Sequence, residues 1–426
     1  MDTNAPGSDE DTAGPYPGTR AGAPASEPAA QPAAVGFAAV LRYFLRLGAL
    51  GFGGPIAVVG YMQRDLVEQR GWIARQDFLD GVALGQTMPG PLAAQVAMWV
   101  GYLKRGPAGA AATALAFIAP SFAMVVAVAA VYSHYSGLSA VQSLFYGIAP
   151  AVMAIITIAA LKLVRLTDGK DWRAWAISAV VFTVTAVSGK EPIYLIVGAG
   201  LLMILLDARP GLRLPRRNPA TTDADRKGGA GGPALRGLAA LPLASGTLGV
   251  LASGGVLVSV GLFFLKTGAL VFGSGLAIVP LLRDGVVAQH HWLTQAQFLD
   301  AVAMGLITPG PVVITAAFIG YLVAGPLGAL IATVAIFAPI YLGVAVPGRW
   351  FIRHRTNKQI KAFVTGATAA AGGALSGAVV VLTRQAVTDV PTGAIAVVTL
   401  ALLWRFRKIP EPCVVVAAGT LGLLLH

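Results

Sequence analysis

The chain repeats itself. Shifted by 220 residues, LRLGALGFGGPIAVV (45–59) falls on LKTGALVFGSGLAIV (265–279), and the register holds without a gap for roughly 48 residues. Within it Trp72 meets Trp292, Phe78-Leu79-Asp80 meets Phe298-Leu299-Asp300, and Pro89-Gly90-Pro91 meets Pro309-Gly310-Pro311. About 20 of these positions are identical, too many for two unrelated apolar helices. Any fold must therefore be built from two related halves.

Lipid is the solvent those halves require. Of the 426 residues, 56% are hydrophobic and 12% charged, and the mean hydropathy is +0.72. Apolar runs of about 18 or more residues read as transmembrane helices, because about 20 residues rising 1.5 Å each cover the hydrocarbon core. In the first half they fall at 35–62, 78–103, 107–131, 143–161, 174–189 and 192–206. Their counterparts lie at 257–282, 298–323, 327–347, 362–382, 390–404 and 411–425. The expected class is an all-α polytopic membrane protein. Residues 1–33 are rich in Pro, Ala and Gly and too poor in apolar surface to offset ordering, which predicts a disordered tail. That start is acidic and polar, unlike a secretory signal, so the first span is expected to be retained.

The net charge of +12 does not point to nucleic acid. Lys and Arg sit in short loops between spans, where cytoplasmic retention accounts for them. In the first half they follow the second span (Lys104, Arg105), the fourth (Lys162, Arg165, Lys170, Arg173) and the sixth, where 207–236 holds seven basic and three acidic residues. In the second half they follow the third span (Arg349, Arg353, Arg355, Lys358, Lys361) and the fifth (Arg405, Arg407, Lys408). The parity switches, so equivalent helices are expected to cross in opposite directions, as inverted-topology repeats. An odd crossing must then join them, and the nearly uncharged stretch 238–282 is long enough for two helices. The expected organisation is a first repeat at 34–206, a basic cytoplasmic linker at 207–237, an extra helix at 238–256 and a second repeat at 257–426. That makes about thirteen transmembrane helices in the cell inner membrane, with tail and linker cytoplasmic. The Arg-bearing stretch 63–77 fits least well, and a re-entrant hairpin there is the alternative.

Two spans in each half should be broken. The first reads GALGFGGP (48–55) and its counterpart GALVFGSG (268–275), and each glycine weakens a helix by about 1 kcal/mol relative to Ala. The second carries MPGP (88–91), repeated as TPGP (308–311), where each proline removes a donor and obstructs the preceding turn. Unwound backbone is tolerable at membrane depth only when buried in protein or lining a wet cavity. Inverted repeats with interrupted helices point to a transporter site at the repeat interface. Helices restarting after Gly54, Pro91, Gly275 and Pro311 would aim free N–H groups and positive dipole ends inward, which suits an anion. The competing reading is that Gly and Pro only permit close packing or kinks.

Arg46 and Lys266 occupy matching positions two residues before the GAL tripeptide, either facing a cavity with the anion or snorkelling. Asp80 and Asp300 either cap the second span or carry a coupling proton. Trp72 and Trp292 read as interface anchors. Gln86, Thr87 and Thr308 flank the PGP turns and either donate to substrate oxygens or satisfy freed carbonyls. The sole cysteine, Cys413, lies in an apolar run and reads as a buried structural thiol. No nucleotide-binding loop, HExxH motif or GxSxG elbow occurs, so neither an ATP-driven pump nor a hydrolase is expected. No metal or cofactor is expected either.

With its FGGP at 52–55, PGP at 89–91, FGSG at 272–275 and PGP at 309–311, the chain resembles the chromate ion transporter family in its long, two-domain form. The resemblance covers nearly everything after the N-terminal tail. It implies efflux of chromate from the cytoplasm and hence chromate resistance, with sulfate as a structural analogue. Carried over by position, the matching residues are Phe52, Gly53, Gly54, Pro55, Pro89, Gly90 and Pro91, then Phe272, Gly273, Pro309, Gly310 and Pro311. Ser274 and Gly275 depart from the first repeat's Gly-Pro, so the halves need not contribute equally. Export or uptake of sulfate or another small anion is the alternative, and a membrane-embedded assembly protein that carries nothing is the rival from another class. A homodimer is compatible with all of these.

Overall fold

The computed structural model describes residues 35–52, 54–189, 193–207, 255–272, 275–346, 357–406 and 409–425, and no strand occurs among them. The first half comprises α1 (Phe37–Leu50), α2 (Gly54–Met62), α3 (Arg75–Thr87), α4 (Leu92–Tyr135), α5 (Ser139–Asp168), α6 (Trp172–Ser188) and α7 (Ile193–Asp207). The second comprises α8 (Val256–Ala269), α9 (Ile278–Arg283), α10 (Gln295–Ile307), α11 (Thr315–Ala345), α12 (Lys358–Ala386), α13 (Val390–Arg405) and α14 (Glu411–Leu425). Among the described residues, four stretches are long and apolar enough to cross a membrane: α4, α5, Val312–Ala345 and α12. Shorter apolar helices are α6, α7, α8, α13 and α14. The tail at 1–33, nearly all of the 207–237 linker and nearly all of the 238–256 helix lie outside the described residues.

Both α4 and α11 are hairpins. Arg105 and Gly106 leave helical geometry, with Gly106 at φ +60° and ψ −150°, and Ala324 and Gly325 do the same, with Gly325 at φ +65° and ψ −157°. Only glycine takes the positive φ without cost. Pro107 and Pro326 open the second arms, where a missing N–H costs nothing. The reversal brings Gly101 against the Gly109 carbonyl and Gly320 against that of Gly328. Eight residues along one straight helix would separate such a pair by about 12 Å.

The halves interlock through exchanged helices. Long α5 packs on α13 and α14 of the second half, and long α12 packs on α6 and α7 of the first. Gly147 meets the Ala418 carbonyl, and Gly366 meets the Ala199 carbonyl. Adding 219 turns Gly147 into Gly366 and Ala199 into Ala418, so one close approach occurs twice. Small residues allow such backbone contact, from which apolar helices in lipid draw their packing energy. A one-residue deletion between the PGP turn and Gly320 converts the early shift of 220 into 219.

The stretch after α2 does not cross the structure. Gln63–Gln69 forms a π-helix, matched by Asp284–Gln289 after α9, and the chain then turns back at Gly71 (φ +58°) and His291 (φ +52°). The Trp72 N–H donates to the Leu66 carbonyl at 2.8 Å, and the Trp292 N–H to that of Val286 at 2.9 Å. Neither tryptophan stands alone as an anchor. Trp72 takes the Arg70 guanidinium on its face at 4.7 Å, and Trp292 stacks on His290 at 4.3 Å.

Two expectations need correction. Asp80 and Asp300 cap nothing, because α3 and α10 begin at Arg75 and Gln295, placing both carboxylates in the second turn. The cap of α10 is Thr294, whose hydroxyl accepts from the Gln297 N–H at 3.2 Å while the Gln297 side chain accepts from the Thr294 N–H at 2.9 Å. Cys413 is exposed on the first turn of α14 rather than buried. An apolar neighbourhood in such a chain marks a lipid-compatible face as readily as a core.

Candidate functional site

The two broken spans of each half end where expected. Helix α1 stops at Leu50, the Gly51 N–H closing its last turn on Leu47 at 2.7 Å, and α2 restarts at Gly54. In the second half α8 stops at Ala269, and a 3-10 turn at Gly275–Ala277 leads into α9. The PGP turns separate α3 from α4 and α10 from a 3-10 turn at Val312–Ile314 that leads into α11.

These four breaks are bonded to one another across the halves. The Gly90 N–H donates to the Val271 carbonyl at 2.6 Å, and the Gly310 N–H donates to the Gly51 carbonyl at 3.3 Å. The pairs are equivalent under the 220-residue shift, so each PGP turn is tied to the unwound segment of the opposite half. In Pro-Gly-Pro the glycine carries the only N–H, and both turns use it here. Gly90 at φ +141° and Gly310 at φ +105° hold geometry that a side chain strongly disfavours.

Side chains lock the turns from outside. Gln95 is fully buried, and its Nε2 donates to the Pro89 carbonyl at 2.9 Å and the Met88 carbonyl at 3.3 Å, leaving Oε1 without a hydrogen-bond partner among the described residues. Thr315, its counterpart, donates to the Val312 carbonyl at 2.8 Å. Ser121 is fully buried between the halves, its Oγ donating to the Gly48 carbonyl at 3.2 Å beside Gly310. Gly48 and Gly268 press on the backbone of Phe117 and Ile336, seating both broken helices against the hairpins.

Of the residues singled out from sequence, Pro89, Gly90, Pro91, Pro309, Gly310, Pro311 and Gly275 gather at this junction, with a Cβ on Gly275 falling 3.9 Å from Pro91. Phe272 is buried and packs edge-on against Phe363 at 6.2 Å, whereas Phe52 is exposed. Gly54 and Pro55 open α2, and Gln86 is exposed near the end of α3. Gly53, Gly273 and Ser274 lie outside the described residues. Thr308 spends its hydroxyl on the Met304 carbonyl at 2.7 Å, and Thr87 does the same with Ala83, so both satisfy their own helices.

Arg46 and Lys266 both stand on exposed faces, one turn before the breaks. Lys266 lines a cavity of about 310 Å³ with Ser259, Asp284, Gln289 and His290, a lining that contains neither Arg46 nor the PGP residues. Packing against its aromatic neighbours, with the Lys266 ammonium nearby, pushes the His290 imidazole below its usual range. The two aspartates differ in setting. Asp80 is half-exposed and accepts from Gln76 Nε2 at 2.9 Å, while Asp300 is buried and accepts from the Tyr132 hydroxyl of the other half at 2.6 Å.

Gln95, Ser121 and Tyr132 escaped the sequence reading. A glutamine inside the otherwise apolar run 92–100 was the available signal, since an amide there must find internal partners. The junction holds peptide dipoles, the Gln95 amide and the Ser121 and Thr315 hydroxyls.

The family described as Chromate transporter matches residues 38–204 and again 258–423, one match per half. A "Chromate transport protein" of Cupriavidus metallidurans is 46% identical over 388 residues, covering 91% of this chain and 92% of that protein. A "Probable chromate transport protein" of Synechococcus elongatus is 46% identical over 386 residues, 90% of this chain and 94% of its own. A "Chromate transport protein" of Pseudomonas aeruginosa is 28% identical over 391 residues, 90% and 91% of the two chains. No solved structure matches.

Proposed function

Because the chain belongs to the chromate transporter family, a family of transport proteins rather than enzymes, we propose that it exports chromate across the cell inner membrane and thereby confers resistance. The observation carrying this reading is the reciprocal pair Gly90 to Val271 and Gly310 to Gly51. Two unwound segments and two helix-restarting turns meet there, supporting a substrate site at the interface of the halves. The first-turn N–H groups after Pro91 have no partners within α4, and such groups with their helix dipoles replace part of the hydration of a tetrahedral dianion. Arg46 and Lys266 serve as basic approaches to this site, with Gln86, Phe52, Gly54, Pro55, Phe272 and Gly275 beside it.

Alternation of the lysine- and arginine-rich loops supports opposite orientation of the halves, with the 207–237 linker cytoplasmic and a crossing at 238–256 bringing the total to about thirteen helices. Rocking of one half against the other would then open the junction to each side in turn. The membrane potential drives the exit. At about 100 mV, inside negative, a double negative charge gains roughly 4.6 kcal/mol on leaving, about a thousandfold in concentration ratio.

The test is chromate efflux from liposomes containing the purified protein. Arg46→Gln and Lys266→Gln should each slow it, and full activity in both would remove these side chains from the scheme. Sulfate in excess should compete if the site reads tetrahedral geometry, and preferential sulfate flux would reassign the substrate. Cysteines placed at Arg105 and Arg355, in a background with Cys413→Ser, should label from the same side of the membrane. Labelling from opposite sides would overturn the inverted arrangement.

A further inference from the structure

The sequence shift equates Asp80 with Asp300, but the fold separates them. Asp300 is 8% exposed, on the second turn of α10. Its only hydrogen bond among the described residues comes from the hydroxyl of Tyr132, near the end of α4 and 168 positions earlier in the chain. That phenol is held by Phe145 edge-on at 5.5 Å and Phe318 at 5.4 Å. Tyr132 and Asp300 therefore form a buried polar bridge between the two halves, on surfaces that must move if the halves rock.

No Lys, Arg or His nitrogen forms an ion pair with Asp300 among the described residues, where the ion pairs are Arg64 with Asp65 and Arg173 with Asp207. The charged groups on elements packed against α10 have other commitments. Arg283 donates to Gln295 and to the Gly189 carbonyl, Asp284 accepts from Gln289, and Tyr146 of α5 donates to Asp389. Lys162, Arg165 and Asp168 of α5, Tyr321 of α11, Glu411 of α14 and His134 beside Tyr132 form no bond to it. An ionised carboxylate in such a place costs several kcal/mol, which one phenol hydrogen bond does not offset. The same group carrying a proton is neutral and costs far less.

Resting on the transport reading above, we propose that Asp300 is a proton-carrying group of the transport cycle and that Tyr132 is the positioning residue that closes over it when the halves are engaged. With the bridge closed, the carboxyl is neutral and shielded. As the halves separate, Tyr132 withdraws, water reaches the carboxyl, and the proton leaves to that side. Only an O–H bond is made and broken, the proton being drawn from one aqueous phase and delivered to the other. Asp80 is half-exposed and accepts from Gln76, a setting more open to water than that of Asp300.

The experiment uses full-length protein in liposomes loaded with chromate, with the membrane potential clamped and the outside one pH unit more acidic than the inside. Wild type should reach a chromate ratio shifted about tenfold per coupled proton relative to equal pH. Asp300→Asn should lose that shift while still exchanging internal for external chromate at equal pH, and Asp300→Glu should restore it. A wild-type ratio indifferent to the gradient, or an Asp300→Asn response equal to wild type, overturns the proposal and leaves the transport reading intact. Absence of any wild-type chromate flux would instead remove the transport reading. Labelling of wild type with dicyclohexylcarbodiimide, which attacks protonated carboxyls in apolar surroundings, decides the matter independently of flux and of variant folding. A peptide map with adduct on Asp300 supports the proposal, and an unmodified Asp300 overturns it.

Discussion

Replacing Gly310 by alanine tests the junction most directly. The residue sits at φ +105°, and a Cβ there would collide with the Ser121 hydroxyl and lie 3.1 Å from the Ser121 Cβ. Strained backbone of this kind costs about 1–3 kcal/mol and overpacking about 1–3 kcal/mol, so Gly310→Ala should destabilise by about 2–6 kcal/mol. Ser121→Ala alone should cost about 1 kcal/mol, because the Gly48 carbonyl loses its donor. Combining the two removes the collision with the hydroxyl but leaves the strain and the 3.1 Å contact with the residue 121 Cβ, so a double-mutant cycle should return a favourable coupling of about 1–2 kcal/mol. Gly90→Ala should also destabilise, since at φ +141° its Cβ would meet Gln95 Nε2 and Ile340 Cγ2 at 2.8 and 2.9 Å and both side chains are fully buried. The assay is unfolding in mixed micelles with rising dodecyl sulfate, followed by circular dichroism. Gly310→Ala within about 0.5 kcal/mol of wild type, or no coupling to Ser121, would refute the reasoning.

Gln95→Leu should leave the Met88 and Pro89 carbonyls without their donor, at about 1–3 kcal/mol for each carbonyl, and should slow chromate efflux by loosening the first PGP turn. Thr294→Ala should cost about 1 kcal/mol through loss of the α10 capping box, and an efflux assay should find transport unchanged once protein levels are matched. For His290 the folded protein binds its proton less readily than the unfolded chain does. Its contribution is therefore neutral at high pH and becomes destabilising as pH falls through and below the ordinary imidazole range near 6.5. His290→Gln should accordingly lose less stability than wild type between neutral and mildly acidic pH, and identical pH profiles would refute this.

The helix breaks were legible because Gly and Pro act locally. FGGP, its echo FGSG and the PGP turns interrupt helices locally, and α1, α3, α8 and α10 all end just before them. What each break touches was not legible, since hydropathy places a segment in the bilayer without naming its neighbour. The crossed bonds from Gly90 to Val271 and from Gly310 to Gly51 are tertiary facts. The aspartates illustrate the same limit. A register that aligns Asp80 with Asp300 equates positions, not surroundings, and only the folded chain brings Tyr132 to one of them. Cys413 failed in the opposite direction, because in lipid an apolar setting is no sign of an interior. The α10 cap was readable from Thr294 and Gln297, but an assumed later start for the helix hid it.

The exchange of α5 and α12 between the halves bears on how such a chain is made. When the first half has left the ribosome, α5 has no α13 or α14 to lie against, and α6 and α7 still await α12. Assembly of these pairs cannot finish until the last fifteen-residue helix has been translated and inserted. Severing the chain between its halves should therefore give two polypeptides that mature only when synthesised together, each acting as the other's folding template.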